Sequence, residues 1–185
     1  MTPAAIREQF FSVLNDTEKN ISAFVKNPGS DMSRHRACSF SDTVNATLCF
    51  GMNRTNTELL NFFGLTRKTV PSKSAFSQQR KKLNSCLFPH LLRSFNNAIP
   101  MTKTYNGFHL AAVDGSDLNL PTDKNDSVYR IKHAASDNCY FQMHVNALYD
   151  ICENRYISAV TQPRSKMNEP RAFCQMIDEF YQPQS

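Results

Sequence analysis

The stretch Phe108-His-Leu-Ala-Ala-Val-Asp-Gly-Ser-Asp-Leu-Asn-Leu-Pro121 decides the fold class. Its first half is apolar and ends on an acid. Leu110, Ala111, Ala112 and Val113 read as a strand buried on both faces. Asp114 follows, and Gly115-Ser116 is expected to turn the backbone away, with Leu118-Asn119-Leu120 as a short returning piece before Pro121. A carboxylate at the end of a buried strand is costly without a hydrogen bond, a cation or a metal. Asp114 is therefore the first candidate for chemistry.

Downstream of Pro121 the strand pattern continues. Residues Thr122 to Asn138 are polar and aperiodic and read as a long loop. From Tyr140 to Tyr149 apolar and polar residues alternate. Phe141, Met143, Val145 and Ala147 are expected on the core face, with Gln142, His144, Asn146 and Leu148 opposite. Asp150 to Asn154 makes a turn, and Arg155 to Thr161 returns as a third strand. Glu169 to Tyr181 is an amphipathic helix that points Phe173, Met176, Ile177 and Phe180 inward.

Upstream, the pattern is helical. Ile6, Phe10, Val13, Leu14, Ile21, Phe24 and Val25 share one helical face, bounded by Pro3 and by Asn27-Pro28-Gly29. Residues Asn27 to Arg36 form a basic, Ser-rich loop. Phe40 to Phe50 is helical again. A short helix from Glu58 to Phe63 is expected to end with Gly64 as a left-handed cap. A basic turn with Arg67, Lys68 and Lys73 leads to a helix over Ala75 to Leu83, capped by Ser72 or Ser74. A last helix covers about Leu87 to Ile99. The fold class is α+β. A helical domain over residues 1–100 precedes a domain over 101–185 that begins with three antiparallel strands and a helix.

Charge follows the same division. Thirteen Lys and Arg face six acids up to Pro100, whereas the remainder is slightly acidic. A basic half beside an acid-bearing half suggests a polyanion held by one and worked on by the other. Within Glu58 to Leu83 the order of helices admits a helix-turn-helix. Gln78, Gln79 and Arg80 would then lie near bases, and Lys73, Lys81 and Lys82 near phosphates. The plainer alternative is a solvated helix packed by Phe76 and Leu83.

The six cysteines form no Cys-x-x-Cys pair and read as small buried residues in a reducing compartment. The N-terminus lacks the apolar block of a signal peptide, and no run reaches membrane-spanning length. A cytoplasmic, non-membrane protein is expected. Asp117, Asp137 and Asp150 read as turn residues, with a lesser auxiliary-ligand role open for Asp117. Glu169 fits a helix N-terminus, and His133 and His144 read as surface or strand-face residues.

Four pieces in order resemble insertion-sequence transposases of the IS-four type. They are Pro71-Ser-Lys-Ser-Ala-Phe-Ser-Gln-Gln-Arg-Lys-Lys-Leu83, Ala112-Val-Asp-Gly-Ser116 with Leu118-Asn-Leu-Pro121, Asn146-Ala-Leu-Tyr-Asp150, and Asn168-Glu169 with Arg171-Ala172. The resemblance spans roughly Lys68 to Tyr181 and implies a ribonuclease-H-like catalytic core, of which only the opening is present. In that family three acids hold two Mg²⁺ or Mn²⁺ ions about 3.5–4 Å apart for in-line cleavage and transfer of DNA strands. Hard cations of this kind take oxygen ligands, hence carboxylates.

Asp114 matches the first acid, as catalytic residue and metal ligand. The second and third have no counterpart here. The resemblance thus implies a transposase fragment that binds element-end DNA, self-associates or joins an intact transposase, and is inactive alone. A non-catalytic or inhibitory DNA-binding protein is the alternative. An incomplete sheet is further expected to leave an unpaired edge and only half a surface for Phe173, Met176 and Phe180.

Overall fold

The computed structural model describes residues 1–33, 38–51, 53–66, 68–123, 125–132 and 139–181, the last without the side chain of Tyr181. Arg34, Arg36, Arg67, His133, Asp137 and Asn138, all named above, lie outside the described residues. The chain divides into two units, Met1–Ile99 and Pro100–Ser185.

The first unit holds five helices: α1 (Pro3–Lys19), α2 (Phe40–Cys49), α3 (Thr55–Leu65), α4 (Lys73–Arg80) and α5 (Leu87–Ala98). Helix α1 starts on a Thr2 cap with Pro3 in its first turn, where a missing N–H costs nothing. It stops at Lys19, earlier than the apolar spacing predicts. A single 3₁₀ turn, Ile21–Ala23, follows and redirects the chain. Phe24 and Val25 are still buried, but by a different route. Val25 bridges Leu83, the Asn84 N–H donates to the Phe24 carbonyl at 2.8 Å, and the Lys26 N–H donates to the Lys82 carbonyl at 2.9 Å. One core joins Leu14, Phe24, Phe40, Val44, Leu83, Leu87 and Leu91.

A second core joins Cys38, Ala46, Leu59, Phe63 and Phe76, so α2, α3 and α4 pack as a three-helix cluster. Ser39 and Asp42 close a reciprocal capping box on α2. The buried carboxylate of Glu58 accepts the N–H groups of Gly51 and Asn53 and so ties the preceding loop to α3. Gly64 lies inside α3, which runs on to Leu65; it is not a left-handed cap, because the helix continues past it. Of the described cysteines only Cys38 is buried; Cys49, Cys86 and Cys174 are exposed, contrary to the expectation from composition.

The second unit is an antiparallel four-stranded sheet with one helix: β1 (Ala111–Asn119), β2 (Arg130–Lys132), β3 (Cys139–Asp150), β4 (Arg155–Pro163) and α6 (Glu169–Tyr181). Strand β3 is paired with all three others. Four strands replace the expected three because a short strand, β2, lies within the stretch read as loop. The supposed turn after Asp114 is also absent. Strand β1 runs straight through Asp114-Gly115-Ser116, with Asp114 opposite Ala147 and Gly115 opposite Asn146.

Strand β1 is exposed along its length except at Gly115, not buried on both faces. Among the described residues it pairs only with β3, so it is an edge strand. An apolar run cannot by itself distinguish an edge from a centre. Burial in β3 also departs from the apolar alternation. Phe141 is buried, but from there on the buried positions are His144, Asn146, Leu148 and Asp150. Helix α6 covers that even-numbered face, and Leu148, Ile157, Val160, Ala172 and Met176 form its core. Because α6 lies over β4 and β3, Ala172 and Met176 face inward while Phe173 and Phe180 stay exposed. Among the described residues no helix is long and apolar enough to cross a membrane.

Candidate functional site

In a strand, alternate side chains share a face. Asp114 therefore stands with Ala112, Ser116 and Leu118 on the face of β1 that α6 does not cover. Across the ladder this face continues through Met143, Val145 and Ala147. The Asp114 carboxylate is exposed, and its Oδ1 accepts the N–H of Gly115 at 2.9 Å. Its cross-strand partner is an alanine. Among the described residues no three His, Cys, Asp or Glu side chains gather to hold a metal ion. The residues present thus do not fit a two-metal centre, and Asp114 offers one carboxylate only.

The opposite face of the same strands carries a polar cluster that local sequence patterns do not reveal. Asp117 lies opposite His144 in the β1–β3 ladder. His144 is buried, and its Nδ1 stands 2.6 Å from Asp117 Oδ1. A carboxylate only accepts, so Nδ1 carries the proton. Arg164, in the 3₁₀ turn Arg164–Lys166, donates from Nε to Asp117 Oδ2 at 2.7 Å. The His144 hydrogen bond and the Arg164 guanidinium together hold the Asp117 carboxyl below the usual carboxylate range. Asp117 is not a turn cap.

Beyond the ring, His144 Nε2 lies 3.4 Å from Glu169 Oε1 on the first turn of α6. That helix is capped by Asn168, whose Oδ1 accepts the Arg171 N–H at 3.0 Å. Gly115 explains how the ring fits. A Cβ on residue 115 would come within 2.5 Å of His144 Nε2 and 3.3 Å of Glu169 Oε1. The glycine of the Asp-Gly-Ser motif is thus needed for ring packing inside a strand, not for a turn. Sequence reading placed His144 on a surface or a strand face because it has no partner at short spacing; it stands on a strand face, and that position is buried. Its partner is 27 residues away and is brought close by strand pairing.

Asp150 does serve the hairpin turn, accepting the Glu153 N–H at 2.8 Å, yet it is fully buried. Its other oxygen lies 3.5 Å from His109 Nδ1. Glu153 in turn accepts the backbone N–H groups of Lys103 and Thr102, and these hold its carboxyl below its ordinary range.

The DNA-contact candidates divide on α4. Its N-terminus is fixed by Ser72, whose hydroxyl accepts the Ala75 N–H at 3.2 Å. Phe76 is buried in the three-helix core, which orients the remaining faces. Lys73, Gln78, Arg80 and Lys81 are exposed. Gln79 is buried and lines, with Asp31, Cys38, Ser39 and Lys82, a cavity of about 420 Å³. Lys82 is partly buried, with its ammonium 4.0 Å from Asp31. Gln79 therefore does not share the exposed face with Gln78 and Arg80. The helix ends at Arg80, so Lys81 and Lys82 follow it rather than extend it. Comparison with protein-family models, curated proteins and solved structures finds no match to this chain.

Proposed function

We propose that this chain is a DNA-binding portion of a transposase of the insertion-sequence type, with its helical unit holding element-end DNA and Asp114 contributing one carboxylate to strand cleavage and transfer. The reading rests chiefly on the α2–α3–α4 cluster. Phe63 and Phe76 anchor it from within, and α4 presents Lys73, Gln78, Arg80 and the following Lys81 to solvent. A packed three-helix cluster with a basic last helix suits insertion into a major groove. The sequence likeness from Pro71 to Ala172 supplies the link to transposition. Mg²⁺ or Mn²⁺ belongs to the complete catalytic centre, whose remaining acids come from polypeptide other than the described residues.

A second reading is a DNA-binding protein without catalysis, which occupies element ends or forms mixed oligomers with an intact transposase. One observation favours it: the residue opposite Asp114 in the β1–β3 ladder is Ala147 and not an acid. Duplex-DNA titrations across a salt series test the shared part of both readings. Affinity should fall steeply with salt as phosphate contacts release counterions. The variant carrying Lys73→Ala, Arg80→Ala and Lys81→Ala should bind all duplexes more weakly and with a shallower salt slope. Unchanged binding by that variant would remove α4 from the DNA interface. Mg²⁺-dependent cleavage by the chain alone, lost in Asp114→Asn, would favour the catalytic reading over the second.

A further inference from the structure

On the face of the sheet away from Asp114, two buried polar atoms at adjacent same-face positions of β3 lack hydrogen-bond partners: His144 Nε2 and Asn146 Oδ1. Both residues are at least nine-tenths buried. Buried polar atoms are normally paired, so these two ask for a physical cause. The surroundings of His144 supply one. Asp117 accepts the hydrogen bond from Nδ1–H, which leaves Nε2 as the nitrogen that turns to Glu169. A carboxylate behind a histidine is the usual support of a metal-ligating imidazole, since it sets the tautomer and raises ligand basicity. Arg164 holds that carboxylate in turn.

The separation of Nε2 and Glu169 Oε1 is informative. At 3.4 Å the two atoms are close neighbours but not in hydrogen-bond geometry. Two ligands on one cation, each at about 2.0–2.2 Å, stand about 2.8–3.6 Å apart at right-angled to tetrahedral disposition. Asn146 offers a further unpaired oxygen two residues along on the same face of β3. Its amide nitrogen faces Gln162 of β4 at 3.5 Å, which turns Oδ1 away from β4. Its cross-strand neighbour on the other side is Gly115, over whose Cα the His144 ring lies. The missing Cβ at residue 115 lets the ring lie against β1, with Nε2 beside Oε1. Glu169, half exposed, provides access from solvent.

We propose that His144 Nε2, Glu169 Oε1 and Asn146 Oδ1 form a binding site for a divalent first-row transition-metal cation, supported by Asp117 and Arg164, between the β1–β3 ladder and the start of α6. One imidazole, one carboxylate and one carboxamide oxygen suit ions of the Mn²⁺ to Zn²⁺ range. The ion ties β1, β3 and α6 together. The site is separate from Asp114, which projects from the other face of β1, and it does not rest on the transposase reading.

Mn²⁺ is the probe, because the exposed thiols of Cys49, Cys86 and Cys174 favour softer ions. The full-length chain, stripped with chelator, is titrated with Mn²⁺ while the His144 ring protons are followed by NMR. Saturable broadening of that ring is expected. It should persist in Asp114→Asn, which separates this site from any binding at the other face. It should be lost in Glu169→Gln, a partly exposed position where the fold tolerates the change. Asp117→Asn should weaken affinity about 10–100-fold. No broadening at His144, equal affinity in Glu169→Gln, or loss in Asp114→Asn alone would each overturn the proposal.

Discussion

The ring of His144 occupies the space that a side chain on Gly115 would need: a Cβ there would lie 2.5 Å from Nε2. The two residues sit on paired strands, and the ring is held in place by Asp117 and buried beneath α6. Gly115→Ala should therefore destabilise the sheet unit by about 1–3 kcal/mol, the usual range for overpacking. His144→Ala in the same chain should recover part of that loss, because the clash disappears with the ring. Denaturant unfolding of the two single variants and the double variant measures the coupling. Additive effects would mean that the strand shifts rather than the ring.

Asp117 gives the sheet unit a pH dependence of known sign. Its carboxyl is held below the ordinary range by the His144 hydrogen bond and then by Arg164. A group whose folded value is depressed adds stability above its unfolded value, near pH 4 by reference to model carboxylates. That contribution is lost as pH falls through the folded value. Asp117→Asn should flatten the acid limb of a stability profile and leave the limb above neutrality unchanged. Thermal unfolding of both proteins from pH 7 downward checks this, and parallel acid limbs would contradict it.

On α4, neighbouring glutamines should behave differently. Gln79→Ala removes a buried side chain and should lower the stability of the helical unit. Gln78→Ala, at an exposed position, should be neutral for stability and act only on DNA affinity. Phe76→Ala should cost about 3–5 kcal/mol, as for other fully buried aromatics. Chemical denaturation and duplex binding, measured on the same preparations, separate the two classes.

Asp114→Asn should leave folding and DNA affinity as they are. The carboxylate is exposed and, among the described residues, bonds to its neighbour's N–H, a contact that the amide oxygen of asparagine can also accept. Unfolding midpoint and DNA titration are the measurements. A large drop in stability would show that Asp114 is structural.

Much of the architecture was legible in the chain. The division near Pro100, the helices before it and the strand–hairpin–helix order after it follow from local periodicity. Several elements carry their own punctuation: Pro3, Ser39, Ser72 and Asn168 at helix starts, and Asp150 to Asn154 at the hairpin. What failed was information that no single segment holds. The break of α1 at Lys19 comes from packing of Phe24 and Val25 against residues near Leu83. The short strand β2 exists only because β3 is long enough to pair with it.

The polar cluster is the clearest case of this limit. By itself the sequence determined the alternation of β3 and marked Asp114 and the Gly115 beside it. Which face of the sheet is covered was decided by α6, and it covers His144, Asn146 and Asp150 rather than Met143, Val145 and Ala147. Hydrophobic alternation ranks faces by transfer free energy. Hydrogen bonds with Asp117, Gln162 and Glu153 oppose that ranking by pairing one polar atom each of His144, Asn146 and Asp150 in the buried state. Those partners lie from 3 to 27 residues away, and only strand pairing and helix docking bring the distant ones into reach.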